Sequence, residues 1–275
     1  MNLQEFLTSS SLLPITLEIL EHVENETKKG FDVQIKPDLA VPATVKIARS
    51  AMPHHIIFIK QRDENFLNHY LSHECGHILR YYEASPGTRK TVHITNISLK
   101  KAIEVLENEN RDFLKKIPLL KRYRVIPIWA QCLISQVTSL PMDIFIEKWL
   151  FDKYPELREE QARSIQFTLH EAIKSLNPDA FTQTPPFVTK RINAMNYAFF
   201  KTLDMYLESS FFTRFVSSSV ADVGEKLYQY IEDEDRGLEG DISIINKWVD
   251  VLGLNGWFTW GNFENVGEEY EKHYL

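Results

Sequence analysis

Short segments rich in β-branched residues stand near the start of the chain, and hydrophobic residues recur at helical spacing almost everywhere after them. Turn signals such as Pro42 and Pro53 separate the short segments. The pattern predicts strands over 31–37, 43–50 and 54–60.

Helical spacing of apolar residues dominates from residue 64 almost to the end of the sequence. Within the segment 64–82, Leu67, Leu71, Cys75 and Ile78 fall along one stripe. Further helices are predicted over 3–29, 98–115, 126–138, 139–154, 155–175, 187–208, 218–233 and 241–252, with a short strand at 91–95.

Local signals set the ends of two of these helices. Pro14 interrupts the first helix, and Gly30 follows its last residue. Ser139 provides an N-cap for the helix over 139–154, and Pro141 lies in its first turn, where a missing N–H costs little.

The arrangement of these elements predicts an α+β fold. A small sheet of antiparallel type would pack on helices, and a mainly α-helical region would follow it. The segment NPDAFTQTPP (177–186) is the best candidate for a linker. We therefore predict an N-terminal helix (1–30), a domain containing the sheet (31–176) and a helical C-terminal region (187–275).

Composition and charge exclude some classes of function. The chain has 275 residues, of which 44% are hydrophobic and 25% charged, as in ordinary soluble globular proteins. The net charge of −7 gives no footprint for nucleic acid, which would need clustered Lys and Arg. The one basic run, KKIPLLKRYR (115–124), is interpreted as a solvated helix end rather than a binding patch.

Neither the N-terminal segment nor the length of the apolar runs suggests secretion or a membrane span. The N-terminus lacks the basic segment of a signal peptide, and no apolar run approaches the ~18–20 residues of a span. Cys75 and Cys132 lie in apolar, helix-like settings, which is typical of buried free thiols in a reducing compartment. We expect a cytoplasmic protein.

The stretch HYLSHECGHILRYY (69–82) contains a metal-binding pattern, because His73, Glu74 and His77 form the sequence H-E-x-x-H. Residues four apart share one face of a helix, so both histidines can bind one zinc ion. Glu74 is rotated by about 100°. It would act as general base on a zinc-activated water and then as general acid toward the leaving amine.

The sequence H-E-x-x-H can occur by chance in any chain. The surroundings of the motif argue against a chance occurrence here. The motif lies inside a strongly helical pattern, follows the strand predicted over 54–60, and has Phe66, Tyr70 and Tyr81 as aromatic neighbours. Gly76 in mid-helix costs about 1 kcal/mol relative to alanine. Close approach of another backbone or helix would offset that cost.

A catalytic zinc usually takes three protein ligands, and two segments compete to supply the third. The first is 100–112, which contains Glu104, Glu107 and Glu109. This segment is dense in charge and poor in apolar residues, so a solvated helix face is its more natural interpretation.

The second segment, PMDIFIEKWL (141–150), carries Asp143 and Glu147 four residues apart among apolar neighbours. Buried carboxylates need a partner, and zinc with its histidines would supply one. One carboxylate would bind zinc while the other accepts a hydrogen bond from a ligand histidine. Asp143 also suits a helix N-terminus, where acids complement the dipole. We favour this segment, with both carboxylates open as the ligand.

Other residues could contribute to such a site. The strand over 54–60 could pair with an extended peptide if it lies at the sheet edge, but an internal position is equally compatible with its sequence. His54 and His55 on that strand could contact substrate. His69 could face the same cleft as His73. His170 could stabilise an oxyanion, although a core histidine is the commoner case.

Residues 31–152 resemble the ImmA/IrrE-like zinc metallopeptidases, within the wider gluzincin group. The resemblance rests on a strand, then a helix bearing H-E-x-G-H, then a later helix bearing a ligand carboxylate, here DIFIEKW (143–149). Asp143 stands at the ligand position and Trp149 at the aromatic one. The family usually shows E-x-x-A, so this chain departs from it with Asp143 for Glu and Ile146 for Ala.

The resemblance implies a minimal zincin-like domain and an intracellular hydrolase, a metalloprotease that uses Zn²⁺. Its substrate would be a protein or peptide, such as a repressor protein in stress or phage-defence circuits. The leading alternative is a non-catalytic zinc-binding sensor or scaffold that acts through its helical C-terminal half. A peptide deformylase would need an upstream Cys ligand in an E-G-C-L-S-like segment, which this sequence lacks.

Overall fold

The computed structural model describes residues 12–60, 66–177, 184–216, 220–231 and 234–265. Over these ranges the chain is a mixed α/β protein, mostly helical, with a small sheet and a helical C-terminal region. The coarse fold predicted from the sequence is therefore confirmed.

Three strands form the larger sheet, and they run in mixed directions. The strands are β1 (Gly30–Ile35), β2 (Ala43–Lys46) and β3 (His54–Ile59), in the order β1-β3-β2. Strands β1 and β3 are parallel, with Gly30 opposite His54, whereas β2 is antiparallel to β3, with Ala43 opposite Ile59. The antiparallel sheet predicted from the sequence is wrong for β1, which joins the far side of β3 instead of pairing with β2.

Strand β3 is the central strand of this sheet. It is hydrogen-bonded to β1 on one side and to β2 on the other. Its run of apolar residues fits this position, since Ile57, Phe58 and Ile59 are all buried. Both of its edges are occupied, so an extended substrate cannot pair with β3.

Helix α1 spans Pro14–Thr27, and Pro14 begins the helix rather than interrupting it. Proline suits the first turn because its fixed φ and missing N–H cost little there. The helix ends where Lys28 takes a left-handed conformation with φ 56°. The predicted helical residues before 12 lie outside the described part of the chain.

Helix α2 spans Leu67–Glu83 and carries the H-E-x-x-H motif. Its apolar stripe joins one hydrophobic cluster with residues from α1, from strands β1 and β3, and from residues 146–157. The fully buried members of α2 are Leu71, Cys75 and Ile78. Removing such residues typically costs several kcal/mol, so this cluster fixes the helix that holds the motif.

Two helices follow strand β4 (Lys90–His93): α3 (Asn96–Glu109) and α4 (Arg111–Lys115). Thr95 and Ser98 form a capping box at the start of α3, in which each side chain bonds the other's backbone N–H. The single helix predicted over 98–115 is thus divided, with Asn110 at the junction.

Helix α5 spans Leu119–Lys153 and contains both Pro127 and Pro141. Two helices were predicted here, with a break at Ser139. The prediction was wrong because a proline inside a helix removes one hydrogen bond, at about 3 kcal/mol, and a long helix with many buried side chains tolerates that loss. Several residues around Pro141 are buried, including Val137, Ile144 and Phe145.

The remaining elements are mostly helical. A short 3₁₀ turn at Pro155–Leu157 leads into α6 (Arg158–Lys174). The next helices are α7 (Pro186–Leu207), α8 (Thr213–Val216), α9 (Ala221–Tyr228) and α10 (Gly237–Leu252). Strand β5 (Thr259–Asn262), which the sequence pattern did not predict, pairs with β4 in a two-stranded sheet.

The chain forms two compact units that interleave along the sequence. The first contains the described residues within 12–91, 145–166 and 261–265, and the second contains those within 92–144 and 167–260. Helix α5 passes from one unit into the other, and the three successive segments predicted from the sequence stay a prediction.

Helix α5 is long and apolar enough to cross a membrane by length and composition alone. The buried helix of a water-soluble protein passes the same test. This finding applies to residues 12–60, 66–177, 184–216, 220–231 and 234–265. The cytoplasmic location expected from the sequence stays a prediction.

Candidate metal centre

His73 and His77 lie one turn apart on helix α2, as the motif predicts. Their ring centroids are 5.0 Å apart, and both side chains are half-buried. Imidazoles at this spacing can offer nitrogens to one metal ion. The structure thus brings the two histidines of the motif together on one face.

Glu147 lies against the histidines of α2 and is 4% exposed. Its Oε1 is 2.9 Å from Nδ1 of His73. Its two oxygens are 3.1 and 3.0 Å from Nε2 of His69. These three residues form a cluster that could hold a metal ion.

The contact with Glu147 determines which nitrogen of His73 is available. An ionised carboxylate only accepts hydrogen bonds, so Nδ1 of His73 must carry the proton and donate it. In a neutral ring, which a metal ligand must be, the lone pair of His73 is then on Nε2, and this is the nitrogen that could bind a metal ion. By the same reasoning the proton of His69 is on Nε2, and its Nδ1 is buried without a hydrogen-bond partner among the described residues.

Glu147 is ionised in this environment. Burial opposes the charged form, but the charges and hydrogen bonds of His69 and His73 hold the pKa of Glu147 well below its usual range. Gln161 adds two further bonds: its Nε2 donates to Oε2 of Glu147 at 2.6 Å and to the backbone oxygen of Glu147 at 2.8 Å. Every oxygen of this buried carboxylate therefore has a donor.

A second buried carboxylate, Glu160, holds the first turn of helix α2. Its Oε1 accepts a hydrogen bond from the backbone N–H of His69 at 2.9 Å, and its Oε2 accepts one from Nδ2 of Asn68 at 3.0 Å. Phe66, at the N-cap, makes no side-chain cap of its own. Glu160 therefore caps α2 from another helix, where a negative charge also suits the helix dipole.

Gly76 is explained by the approach of residue 146. A Cβ added to Gly76 would lie 2.5 Å from Cγ2 of Ile146, a distance that real Cβ atoms do not show. Ile146 is 1% exposed and immediately precedes Glu147. The expectation that a neighbouring helix approaches this glycine closely is confirmed.

Glu74 is 7% exposed and lies on α2 between the two histidines in sequence. A glutamate is rarely buried unless its carboxylate is paired with another group. Its position beside the histidine pair is compatible with the role of a general base.

The other predicted carboxylates lie on helix α5, with Glu147, or on helix α3. Asp143 is half-buried and stands one helical turn before Glu147 on α5, within the second compact unit. Glu104, Glu107 and Glu109 are exposed on α3, and Glu104 lies 3.9 Å from Lys100. The three glutamates occupy a solvated helix face, as the charge pattern indicated.

The remaining histidine candidates have structural or surface positions. His55 is fully buried, accepts a hydrogen bond at Nδ1 from the backbone N–H of Ala48, and donates from Nε2 to Thr27. It is therefore not a substrate contact. His54 is exposed, 3.7 Å from Asp32. His170 is exposed on α6, so the core position expected for it is wrong.

Sequence reasoning missed Glu160 and Gln161. Both stand in the first turn of α6, where acids and amides are ordinary, and nothing local marks them as buried. The available signal was their place on the apolar side of an amphipathic helix, with the buried Leu157 and Ile165. The ring of Tyr81, one of the aromatic neighbours of the motif, lies 5.2 Å from the ring of Phe263 and is tilted against it by 50°.

Comparison with known proteins does not place the chain in a family. No protein-family model, no curated protein and no solved structure matches the chain. The cluster of His69, His73 and Glu147 could nevertheless hold a metal ion, because imidazole nitrogens and carboxylate oxygens are common metal ligands in proteins. The residues of this centre are therefore the features of the chain that point to a function.

Proposed function

We propose that this protein is a zinc-dependent metallopeptidase that hydrolyses a peptide bond. The observation that carries the proposal is the hydrogen bond from Nδ1 of His73 to Glu147. Zinc-binding histidines in proteins almost always donate their second ring nitrogen to a carboxylate, a carbonyl or water in this way. A histidine oriented only for packing has no need of a buried carboxylate.

Helix α2 supplies two of the ligands in this proposal. Nε2 of His73 and one nitrogen of His77 supply two ligands from adjacent turns of α2. Glu147 is occupied by His69, His73 and Gln161. The resemblance to ImmA/IrrE-like metallopeptidases would give the third ligand to Asp143, and Glu147 would then be the residue that orients His73.

Glu74 is the general base and then the general acid of this proposal. A carboxylate next to the ligand histidines can take a proton from water and return it to the leaving amine. A zinc ion would supply Lewis-acid chemistry, polarising the carbonyl of the scissile bond and acidifying water. Burial of Glu74 keeps its carboxylate in a fixed position, which such proton transfer requires.

The experiment compares two variants on the same helix. Glu74→Gln removes the base while keeping the shape of the side chain, and Glu83→Gln changes an exposed glutamate at the end of α2. With purified protein and a library of fluorogenic peptides, we expect wild type and Glu83→Gln to hydrolyse peptide, and Glu74→Gln to lose at least about 100-fold in rate. Equal rates in all three proteins would contradict the proposal.

A second function is favoured by one observation. Glu147 has a full set of donors from protein side chains alone. Such a cluster is also suited to a zinc-binding sensor or scaffold that performs no hydrolysis. In that case Glu74→Gln would bind zinc as wild type does, and no peptide would be cleaved by either.

The wider assignment also remains a proposal. A minimal zincin-like arrangement, a cytoplasmic location and a protein or peptide substrate, such as a repressor, are what the resemblance to ImmA/IrrE-like metallopeptidases implies. The H-E-x-x-H spacing of His73 and His77 supports it. The chain departs from the family in the longer gap between His77 and Asp143 and in Ile146, which stands where the family has alanine.

A further inference from the structure

The start of helix α5 presents large apolar side chains to solvent. Leu119, Leu120, Tyr123 and Ile128 are 58%, 81%, 67% and 60% exposed. Single exposed hydrophobic residues are normal on protein surfaces, but four within ten residues of one helix form a patch. The buried side of the same turns is formed by Ile126 and, further on, Ala130.

Basic residues surround this patch. The sequence from 113 to 142 contains Lys115, Lys116, Lys121, Arg122 and Arg124 and no Asp or Glu, in a chain whose net charge is −7. Two of these cations are engaged locally, since Lys115 lies 2.7 Å from Asp112 and Arg122 donates to the backbone oxygen of Ile117. The cations that remain on the exposed surface are Lys116, Lys121 and Arg124.

Helical spacing combines the two kinds of side chain. Leu120, Arg124 and Ile128 are four residues apart, so they follow one another along one exposed stripe, with Lys121 beside Leu120. The exposed surface of these turns therefore offers large apolar side chains together with cations and no acids, and apolar burial and attraction to anionic lipids are the two contributions that bind a helix to a bilayer surface.

We propose that the start of α5 docks on an anionic lipid surface. Lys121 and Arg124 would meet the lipid phosphates while Leu120 and Ile128 enter the boundary between headgroups and acyl chains. The flexible stems of Lys and Arg allow their charges to stay in the polar layer while neighbouring leucines go deeper. An acidic protein fits less well, because lysine is depleted from the core of protein interfaces.

The test measures sedimentation of the full-length protein with lipid vesicles. We expect binding to phosphatidylcholine vesicles that contain phosphatidylserine, weak binding to phosphatidylcholine alone, and loss of binding as salt is raised. Lys121→Gln and Arg124→Gln should each weaken binding about fivefold, from about 1 kcal/mol per basic residue at such a surface. Leu120→Ser should weaken it by about tenfold through lost apolar burial.

Matched controls come from helix α3 in the same unit. Ile97 is 82% exposed, like Leu120, and Lys100 lies on the same helix 3.9 Å from Glu104. Ile97→Ser and Lys100→Gln should leave vesicle binding unchanged. Removing metal with a chelator should also leave it unchanged, which separates this proposal from the proposed zinc chemistry.

Four results would overturn lipid docking. Equal binding to both kinds of vesicle removes the role of charge, and unchanged binding of Leu120→Ser removes the role of the apolar stripe. Stronger binding to polyglutamate than to vesicles assigns the surface to an acidic protein. Retention on vesicles after an alkaline carbonate wash indicates a helix that spans the bilayer rather than one that lies on it.

Discussion

Nδ1 of His73 lies 2.9 Å from Oε1 of Glu147, although 74 residues separate them in sequence. This contact fixes the orientation and the protonation of the first histidine of the motif. Because Glu147 also contacts His69 and Gln161, the position of the carboxylate is set from two further sides. The predictions below follow from this arrangement and from its supports.

Replacing Glu147 by glutamine should weaken zinc binding. The amide cannot accept from both His69 and His73 as the carboxylate does, so His73 loses its fixed orientation. We expect the zinc dissociation constant to rise by about 10–100-fold, the usual effect of losing such a partner. Competition with a zinc indicator measures it. Asp152→Asn, at an exposed carboxylate of the same helix, is the control, and equal affinities in the two variants would argue against this role.

Alanine at position 76 should destabilise the fold despite its better helix propensity. Its Cβ would meet Ile146 at 2.5 Å, and overpacking of this kind costs about 1–3 kcal/mol. Urea unfolding of Gly76→Ala measures the change in free energy. Gly87→Ala, where nothing lies within 4 Å of the added Cβ, is the control.

The double variant Gly76→Ala with Ile146→Ala isolates the cause. Removing the isoleucine side chain relieves the clash, so the two substitutions should be less damaging together than the sum of their separate effects. Strict additivity would show that Ile146 is not what excludes a side chain at residue 76.

Alanine at position 160 should loosen the first turn of helix α2. The backbone N–H of His69 and the amide of Asn68 lose their acceptor, and a buried donor left unsatisfied costs about 1–3 kcal/mol. We expect a lower free energy of unfolding and faster amide exchange at residues 67–70. Glu159→Ala, at an exposed glutamate one residue earlier, should change neither quantity. Unaltered exchange in Glu160→Ala would contradict the capping role.

Stability should fall as the pH falls below about 6.5, in part through His55. Burial, with the nearby charges of Lys29 and His54, lowers the pKa of His55 from 6.5 to about 4. The unfolded chain therefore takes up a proton before the folded one does, and the contribution of His55 is complete above pH 6.5 and lost between 6.5 and about 4. The loss is about 3 kcal/mol at most.

The geometry of His55 gives the reason for this shift. Its Nδ1 already accepts from the backbone N–H of Ala48, so a proton there breaks that bond. Unfolding by urea at pH 7 and pH 5 should show a smaller drop for His55→Gln than for wild type, whereas His170→Gln, at an exposed histidine of helix α6, should behave as wild type does. A drop of the same size in His55→Gln would assign the pH dependence to other groups.

Local sequence patterns predicted those features of the fold and the site that are set within a single helix. Helix α2 and its motif were predicted because the apolar stripe and the four-residue spacing of His73 and His77 are properties of a single helix. The close approach of a neighbour to Gly76 could also be predicted, because a glycine inside a helix lowers helix stability unless something compensates for it. The sequence did not show that this neighbour is Ile146.

Long-range relationships were predicted less well. The direction of β1 and the central place of β3 depend on how strands meet in space, which the residues of each strand do not specify. Glu147 was singled out because a carboxylate in an apolar helix needs a partner. Glu160 carried no such signal, because it sits in a helix first turn where acids are common. Pro141 misled because proline is usual at helix starts, and here tertiary packing outweighed it.

The zinc content of the full-length protein, measured by elemental analysis after purification without added chelator, tests the central claim most directly. We predict one zinc ion per chain in wild type and in Glu74→Gln, with loss of the ion in His77→Ala and retention in His69→Ala. A wild-type protein that holds no zinc would contradict the account. So would zinc that survives in His77→Ala and is lost in His69→Ala, because the ion would then occupy the His69, His73 and Glu147 cluster instead.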